Sequence, residues 1–279
     1  MKTFNVALTI AGSDSGGCAG IQADLKTFSS LGVFGTSAIT SITAQNTVGV
    51  NEVIAIDSNM VRAQIKAVLD DFDVRAIKTG MLLTPENVIA IKELHKENIP
   101  LIIDPVMVST SGNSLIFDKT IEAIKQHLFP IATIITPNLD EASILLSRKI
   151  ITTLDMTKAA KDFIDLYGVN AVLIKGGHLD SEDNTNCIDV LLTKDSNEPI
   201  FLESQRIITK NSHGTGCTLS SAIAGYIALG YDLIESVKMA KDYITNAIYF
   251  AKDINLGHGH GAVNHFFNPK KLNIIETNK

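Results

Sequence analysis

Short apolar runs alternate with longer stretches of helical period along almost the whole chain. Val6–Ile10, Ala38–Thr43, Val53–Ile56, Ala76–Lys78, Leu101–Ile103, Thr133–Ile135 and Ala171–Ile174 are rich in Val and Ile and read as apolar on both faces. Strands covered on both sides have this pattern. Between them lie helical patterns. Thr84-Pro85-Glu86 starts one: a Thr side chain accepts from a free backbone N–H, and Pro at the first helical position gives up nothing. Val88, Ile91 and Leu94 then share one face. The alternation predicts an α/β class, with a parallel sheet flanked by helices. The pattern loosens at 180–186, a polar DSEDNTN stretch that reads as a surface loop. Cys187–Thr193 and Arg206–Thr209 follow as strands, expected antiparallel at a sheet edge. Two long helices, about Thr215–Leu229 and Leu233–Lys252, close the fold. No linker or repeat divides the chain, so residues 1–279 read as a single domain.

Composition narrows the class. Lys and Arg number 24 against 30 Asp and Glu, a formal net charge of −6, which argues against a nucleic-acid partner, since such a face is normally basic. Trp is absent and aromatics are 6%, leaving little for a stacking platform on single strands. No run of about 18 apolar residues predicts a membrane span; the stretch Leu219–Leu229 is broken by Ser220, Ser221 and Gly225. MKTFNVALTIAG lacks an export signal. Three cysteines, Cys18, Cys187 and Cys217, are too few and too far apart for a disulfide framework or a zinc ribbon. A cytoplasmic protein acting on a small molecule is expected.

In open parallel sheets, ligands sit beyond the carboxyl ends of the strands. The loop Gly12–Gly20 (GSDSGGCAG) lies there, before a helix over Ile21–Leu31. Its glycines allow close backbone approach, and the helix start offers N–H groups to an anion. It is neither a Walker loop nor a dinucleotide fingerprint, and a plain βα turn reads the same way. Asn211–Thr218 (NSHGTGCT) opens an apolar helix. Gly214, Thr215 and Gly216 present consecutive amides where the helix dipole favours negative charge. Cys217 falls in that first turn, where a thiol pKa is commonly lowered; a buried Cys beside a glycine turn is the alternative. In TPNLDE, Asn138 and Glu141 have the spacing of a capping box, and equally form an amide–carboxylate pair suited to hydrated magnesium. Asp104 and Lys175 place charges at the ends of apolar runs. Together these point to phosphate and metal. GHGHG at 257–261, with His265, offers imidazoles without rigid spacing and reads as a flexible loop near the site.

The segments AGSDSGGCAGIQADLKTF (11–28), TSITAQNTVGV (40–50), KTGML (78–82), DPVM (104–107), TPNLDEA (136–142), IKGGH (174–178) and KNSHGTGCTLSSAIA (210–224) occur in one order. In these the chain resembles the ribokinase-like family and, within it, the hydroxymethylpyrimidine/phosphomethylpyrimidine kinases. Gln45, Met81 and the Cys after Gly-Thr-Gly carry the narrower likeness; most sugar kinases of the superfamily have Asp there. The resemblance implies a three-layer αβα domain on a mostly parallel sheet, ATP with magnesium (Mg2+), and a homodimer. It implies two phosphoryl transfers in thiamine biosynthesis, first to 4-amino-5-hydroxymethyl-2-methylpyrimidine and then to its monophosphate. Gln45 would bond the aminopyrimidine edge, with Asp24 and Gly12 lining the pocket and Ala19, Thr43, Met81 and Val108 near it. The amides of Gly214, Thr215, Gly216 and Cys217 would hold the transferring group, with the Cys217 thiol as a base for the alcohol. Lys175, Asn138, Thr209 and His213 would meet ATP, and Glu141 with Asp104 would serve the metal. Three positions depart from the family pattern: Cys18 for a Gly or small residue, Thr43 for an aliphatic one, and Ala262 for a common Pro. A pyridoxine/pyridoxal kinase is the nearest rival reading, and a non-catalytic nucleotide-binding regulator a rival of another class. A net negative chain that binds polyanions must capture phosphate through local groups rather than a global field.

Overall fold

The computed structural model describes residues 2–107, 118–177, 185–196 and 198–276. A small antiparallel ribbon pairs β1 (Lys2–Phe4) with β11 (Ile274–Glu276). The main sheet has nine strands. Its parallel centre consists of β2 (Val6–Asp14), β3 (Phe34–Gln45), β5 (Val74–Thr79), β6 (Leu101–Ile103), β7 (Ile134–Ile135) and β8 (Ala171–Ile174). Antiparallel strands extend both edges: β4 (Val50–Ala55) beside β3, and β9 (Asn186–Thr193) then β10 (Ile200–Gln205) beside β8. The spatial order is β10-β9-β8-β7-β6-β5-β2-β3-β4.

Alternation along each strand builds two cores. On β2, Val6, Leu8 and Ile10 join one core with Val61, Ile65 and Leu69 of α2 (Ser58–Asp71). Ala7 faces the other, with Phe28 of α1 (Gly20–Leu31) and Ala222 and Ile223 of α7 (Thr215–Ala228). Helices α3 (Pro85–Leu94), α4 (Asp118–Ala123), α5 (Leu139–Leu146) and α6 (Thr153–Tyr167) complete the first layer, and α8 (Leu233–Tyr249) the second. Each fully buried aliphatic side chain stabilises the fold by about 1.5–3 kcal/mol. The α7 face is made of small residues, with Ser220, Ser221, Ala222 and Ala224 all buried. That lets α7 lie close to the sheet and brings its first turn to the carboxyl ends of the strands.

Helix starts follow the local chemistry. Thr84 accepts from the Asn87 amide ahead of Pro85, as expected. Thr152 and Asp155 form a reciprocal capping box at α6. Removing such a cap costs about 1 kcal/mol, so Thr152→Ala is expected to lower the unfolding free energy by that amount, read as a lower urea midpoint at unchanged slope. An unchanged midpoint would show that the box contributes nothing.

Three expectations need correction. Arg206–Thr209 is not a strand: β10 runs from Ile200 to Gln205, the Arg206 guanidinium turns to the Gly177 carbonyl at 2.8 Å, and Ile208 is 93% exposed. Val53–Ile56 is not covered on both sides, because β4 is an edge strand with Ile54 on its open face. The β1–β11 ribbon goes unread because three-residue strands carry no period. The polar loop at 180–184 lies outside the described residues. No helix among those described is long and apolar enough to cross a membrane.

Candidate active site

From β2 the chain passes to β3 on one side and returns after β4 to place β5 on the other. The crevice beyond the ends of such strands is a topological switch point, where open sheets bind ligands. A cavity of about 720 Å³ opens there, a volume suited to a small molecule. Gly12 sits where the register of β2 against β3 shifts. A Cβ on it would lie 2.6 Å from both Met81 Cε and Ser41 Oγ. Past this bulge, Asp14 organises the loop: Oδ1 accepts from Gly16 N at 2.8 Å, and Oδ2 from Cys18 N at 3.0 Å and Ala19 N at 2.8 Å. Burial pushes this carboxyl up, but the neighbouring His213 imidazole and the Ala19 and Gly16 amides outweigh it and hold it below the usual range.

The turn before α7 closes onto this loop. Gly214 caps the helix at φ +84, and a Cβ there would stand 1.9 Å from the Cys18 carbonyl oxygen. Only glycine meets both conditions. The amides of Gly216 and Cys217 open the helix with no preceding turn to bond them, at the end of the helix that favours an anion. The Cys217 thiol is pushed up to about 11 by burial, with Lys78 opposing and Asp24 and Asp104 reinforcing. The lowered thiol expected from helix position is therefore corrected: dehydration wins over the dipole.

At one side of the cavity, Gln45 Nε2 lies 2.9 Å from His213 Nε2, and Thr43 Oγ1 donates to Gln45 Oε1 at 3.2 Å. Ser15 Oγ donates to the Gln45 carbonyl and accepts from its amide, at 2.7 and 2.8 Å. The side-chain amide of Gln45 is thus held by Thr43 and His213, and its backbone by Ser15. At another side, Lys175 Nζ is 2.9 Å from Asp104 Oδ1 and 3.8 Å from Glu141 Oε2. Burial raises the Asp104 carboxyl, but Lys175 and Lys78 together bring it below its ordinary value. Asn138 and Glu141 form the capping box of α5, each donating its backbone N–H to the other's side chain at 2.8 Å, while both line the cavity.

Burial pushes the Glu141 carboxyl up to about 7, with Lys175 opposing and Asp104 adding to the rise. The folded, metal-free protein then keeps a proton that the unfolded chain, with an ordinary carboxyl near 4.5, has lost. More protons bound in the folded state mean that stability falls as pH rises. Over the window from 4.5 to about 7, Glu141→Gln is expected to remove that fall, read as a difference between urea unfolding curves of variant and parent in a chelator. Parallel curves would show that Glu141 ionises normally.

Gly12, Ala19, Thr43, Gln45, Met81, Asp104, Lys175, His213 and the 214–217 turn all line the one cavity. Asp24 does not. It is fully buried beneath it, with Lys78 Nζ at 2.9 Å from both carboxylate oxygens and Thr9 Oγ1 and Ser221 Oγ donating at 2.6 Å. Thr209 also lies away from it, its hydroxyl donating to the Lys252 carbonyl at 3.0 Å. His213 stands with Gln45 and Asp14 rather than with Lys175. Val108 lies outside the described residues. The glycine–histidine loop is anchored: Gly261 O accepts from His213 N at 3.1 Å, and His260 N donates to Thr47 O at 2.8 Å. His265 is buried against Thr218 Oγ1 at 3.0 Å and is pushed down to about 4 by burial, so it is neutral. Asp14 also lines the cavity and carries no role in the sequence reading, although it sits in a loop singled out there.

Helix amides, a lysine and carboxylates around a switch-point crevice, on a three-layer αβα sheet, define a small-molecule kinase of the ribokinase-like fold. The profile of the phosphomethylpyrimidine kinase family matches residues 14–264, and the chain belongs to that family. It is 47% identical to a hydroxymethylpyrimidine/phosphomethylpyrimidine kinase of Rhizobium meliloti, over 94% of this chain and 97% of that protein. A crystal structure of the Clostridium difficile phosphomethylpyrimidine kinase matches at 45% identity with a TM-score of 0.75, over 87% of this chain and 99% of that one. The Staphylococcus aureus pyridoxal kinase in complex with AMP-PCP and pyridoxal matches at 32% identity with a TM-score of 0.85, over 98% of both chains.

Proposed function

We propose that this chain transfers the γ-phosphoryl group of ATP to the hydroxymethyl group of 4-amino-5-hydroxymethyl-2-methylpyrimidine, and then to the resulting monophosphate, as a cytoplasmic enzyme of thiamine biosynthesis. The observation that carries this reading is the Gln45 amide, held by Thr43 and His213 in the same crevice as the first amides of α7. A neutral aminopyrimidine edge needs one group that both donates and accepts, and a carboxamide does both. Phosphoryl transfer needs positioning and electrostatic support more than covalent chemistry. The amides from Gly214 to Cys217 supply that support at the transferring group, and Lys175 supplies it along the nucleotide phosphates.

The donor set beside Lys175 fits magnesium. Glu141 resists ionisation chiefly because it is buried, with the carboxylates of Asp104 and Asp140 adding to the effect, and a hydrated divalent cation offsets that repulsion. Glu141, Asp104 and Asn138 would hold it, largely through water, and the ion would neutralise charge on the phosphate oxygens.

A substrate panel tests the assignment: the pyrimidine alcohol, its monophosphate, pyridoxine and pyridoxal, each with magnesium-ATP. Turnover of the first two is expected. The structural likeness to a pyridoxal kinase supports a second, weaker activity on the vitamin B6 compounds; turnover of those alone would overturn the reading. An exposed apolar pair at the open sheet edge supports the homodimer implied by the family: Ile42 and Ile54 pair across β3 and β4, 52% and 60% exposed. Light scattering at the mass of one chain would exclude it.

A further inference from the structure

Three side chains of different chemistry meet under the Gln45 end of the crevice, and the proposed transfer uses none of them as a metal ligand. Asp14 ends β2, Cys18 lies on the loop that follows, and His213 lies on the turn before α7. One donor atom from each lies within 4.8 Å of the other two, and His213 Nε2 is 3.5 Å from Asp14 Oδ2. We propose that Asp14, Cys18 and His213 form a binding site for a zinc-class divalent cation, and that its occupation shuts the pyrimidine out. The second half rests on the reading of Gln45 given above; the site itself does not.

The geometry is close to what such an ion needs. Tetrahedral zinc with bonds of about 2.0–2.3 Å sets its ligand atoms roughly 3.3–3.8 Å apart. The nitrogen–oxygen edge already has that length, and the sulfur closes the triangle by moving about 1 Å. The Cys18 Sγ contact that such a movement breaks is long, 3.5 Å to the Gly16 carbonyl. The carboxylate is oriented in advance by three amides, those of Gly16, Cys18 and Ala19, the kind of outer support that holds metal ligands in place. The imidazole can take the right form: an Nε2 without a proton accepts an N–H of the Gln45 amide, 2.9 Å away, and is the state that coordinates a metal. Asp14 and His213 both line the cavity, so the ion would border it.

Ligand chemistry separates this site from the one beside Lys175. One thiolate, one imidazole and one carboxylate suit zinc, cobalt and their neighbours, whereas magnesium prefers all-oxygen sites. The magnesium accompanying ATP therefore does not compete. Binding displaces the Cys18 thiol proton to solvent. It also takes the Nε2 lone pair from Gln45, so the amide that reads the pyrimidine is released from its orientation. Inhibition is thus expected to compete with the pyrimidine and not with magnesium-ATP.

Cobalt(II) titrated into the full chain without nucleotide reads the site directly. One ion per chain with an intense thiolate-to-cobalt band in the near ultraviolet is expected, absent in Cys18→Ala and kept in Cys217→Ala. No band, or a band that persists in Cys18→Ala or vanishes with Cys217, would overturn the proposal. In turnover assays zinc is expected to raise the apparent KM for the pyrimidine, and Cys18→Ala to weaken that inhibition by roughly tenfold or more, with unaltered activity in the absence of zinc. Equal inhibition of both proteins, or competition with ATP, would overturn it as well. A protein that turns over no pyrimidine even without zinc would contradict the assigned reaction, while the cobalt spectrum still decides the metal site.

Discussion

Replacing Cys217 with alanine is expected to slow phosphorylation of the alcohol by about a hundredfold or more, and to leave the second transfer within a few-fold of the parent. The two acceptors differ in what they must lose. An alcohol gives up a proton as it attacks, whereas a phosphate monoester, with a second pKa near ~6, is already largely ionised at neutral pH. Only the first step gains from a base. With the thiol pushed up to about 11, the fraction present as thiolate grows tenfold with each pH unit below that value. Above about pH 7, where the monoester is largely dianionic, the first transfer is therefore expected to accelerate with pH, and the second to stay flat. Separate assays of alcohol and monophosphate, each over pH, check both statements. Equal losses in the variant, or equal pH profiles in the parent, would remove Cys217 as the base.

Lys78→Met is expected to destabilise the fold by about 3–5 kcal/mol, the range for removing one partner of a buried ion pair. Lys78 and Asp24 have no exposed side-chain surface and meet at 2.9 Å. Burial alone would lower the ammonium pKa, but Asp24 holds it above its ordinary value, with Asp104 and Cys217 adding to the effect. Without Lys78, the Asp24 carboxylate keeps hydrogen bonds from Thr9 and Ser221 but no compensating charge. The double variant Lys78→Met/Asp24→Asn keeps an acceptor for one hydroxyl, offers an N–H to the other, which can turn to accept it, and buries no charge, so it is expected to recover most of the loss. Urea unfolding of the parent, the two single variants and the double variant measures this. A loss below about 1 kcal/mol in Lys78→Met, or no recovery in the double variant, would show that the pair does not lock β5, α1, β2 and α7 together.

The parallel strands were legible because Val and Ile repeat there in short buried runs, and the helix caps because Thr84 and Asn138 carry their own chemistry. The edges were less so. A strand end such as Gln205 is set by what lies beside it, not by its own residues, and Arg206–Thr209 looked equally extended. The same divide runs through the site. Gly214, Cys217, Lys175 and Gln45 sit in motifs whose composition is itself the signal. Asp24 lies on a helix just past a ligand loop, and nothing local tells whether its carboxylate points into the crevice or beneath it. Lys78, which decides the matter, comes from another strand. Asp14 was visible in its loop, but its relation to His213 exists only once the first and last thirds of the chain meet.

The order in which the chain is made bears on that meeting. The face of β2, β5 and β6 that carries Ala7, Ala76 and Ile102 is covered by α7 and α8, which are the last helices to be synthesised. An emerging chain can assemble the opposite layer, α2 through α6, well before this face has its cover. Until then an apolar sheet surface with Phe28, Leu31 and Val33 around it stands open, and the Gly12–Gly20 loop lacks the Gly214 turn that closes it. The nascent protein is thus at once inactive and prone to association, and both conditions end together when α7 docks.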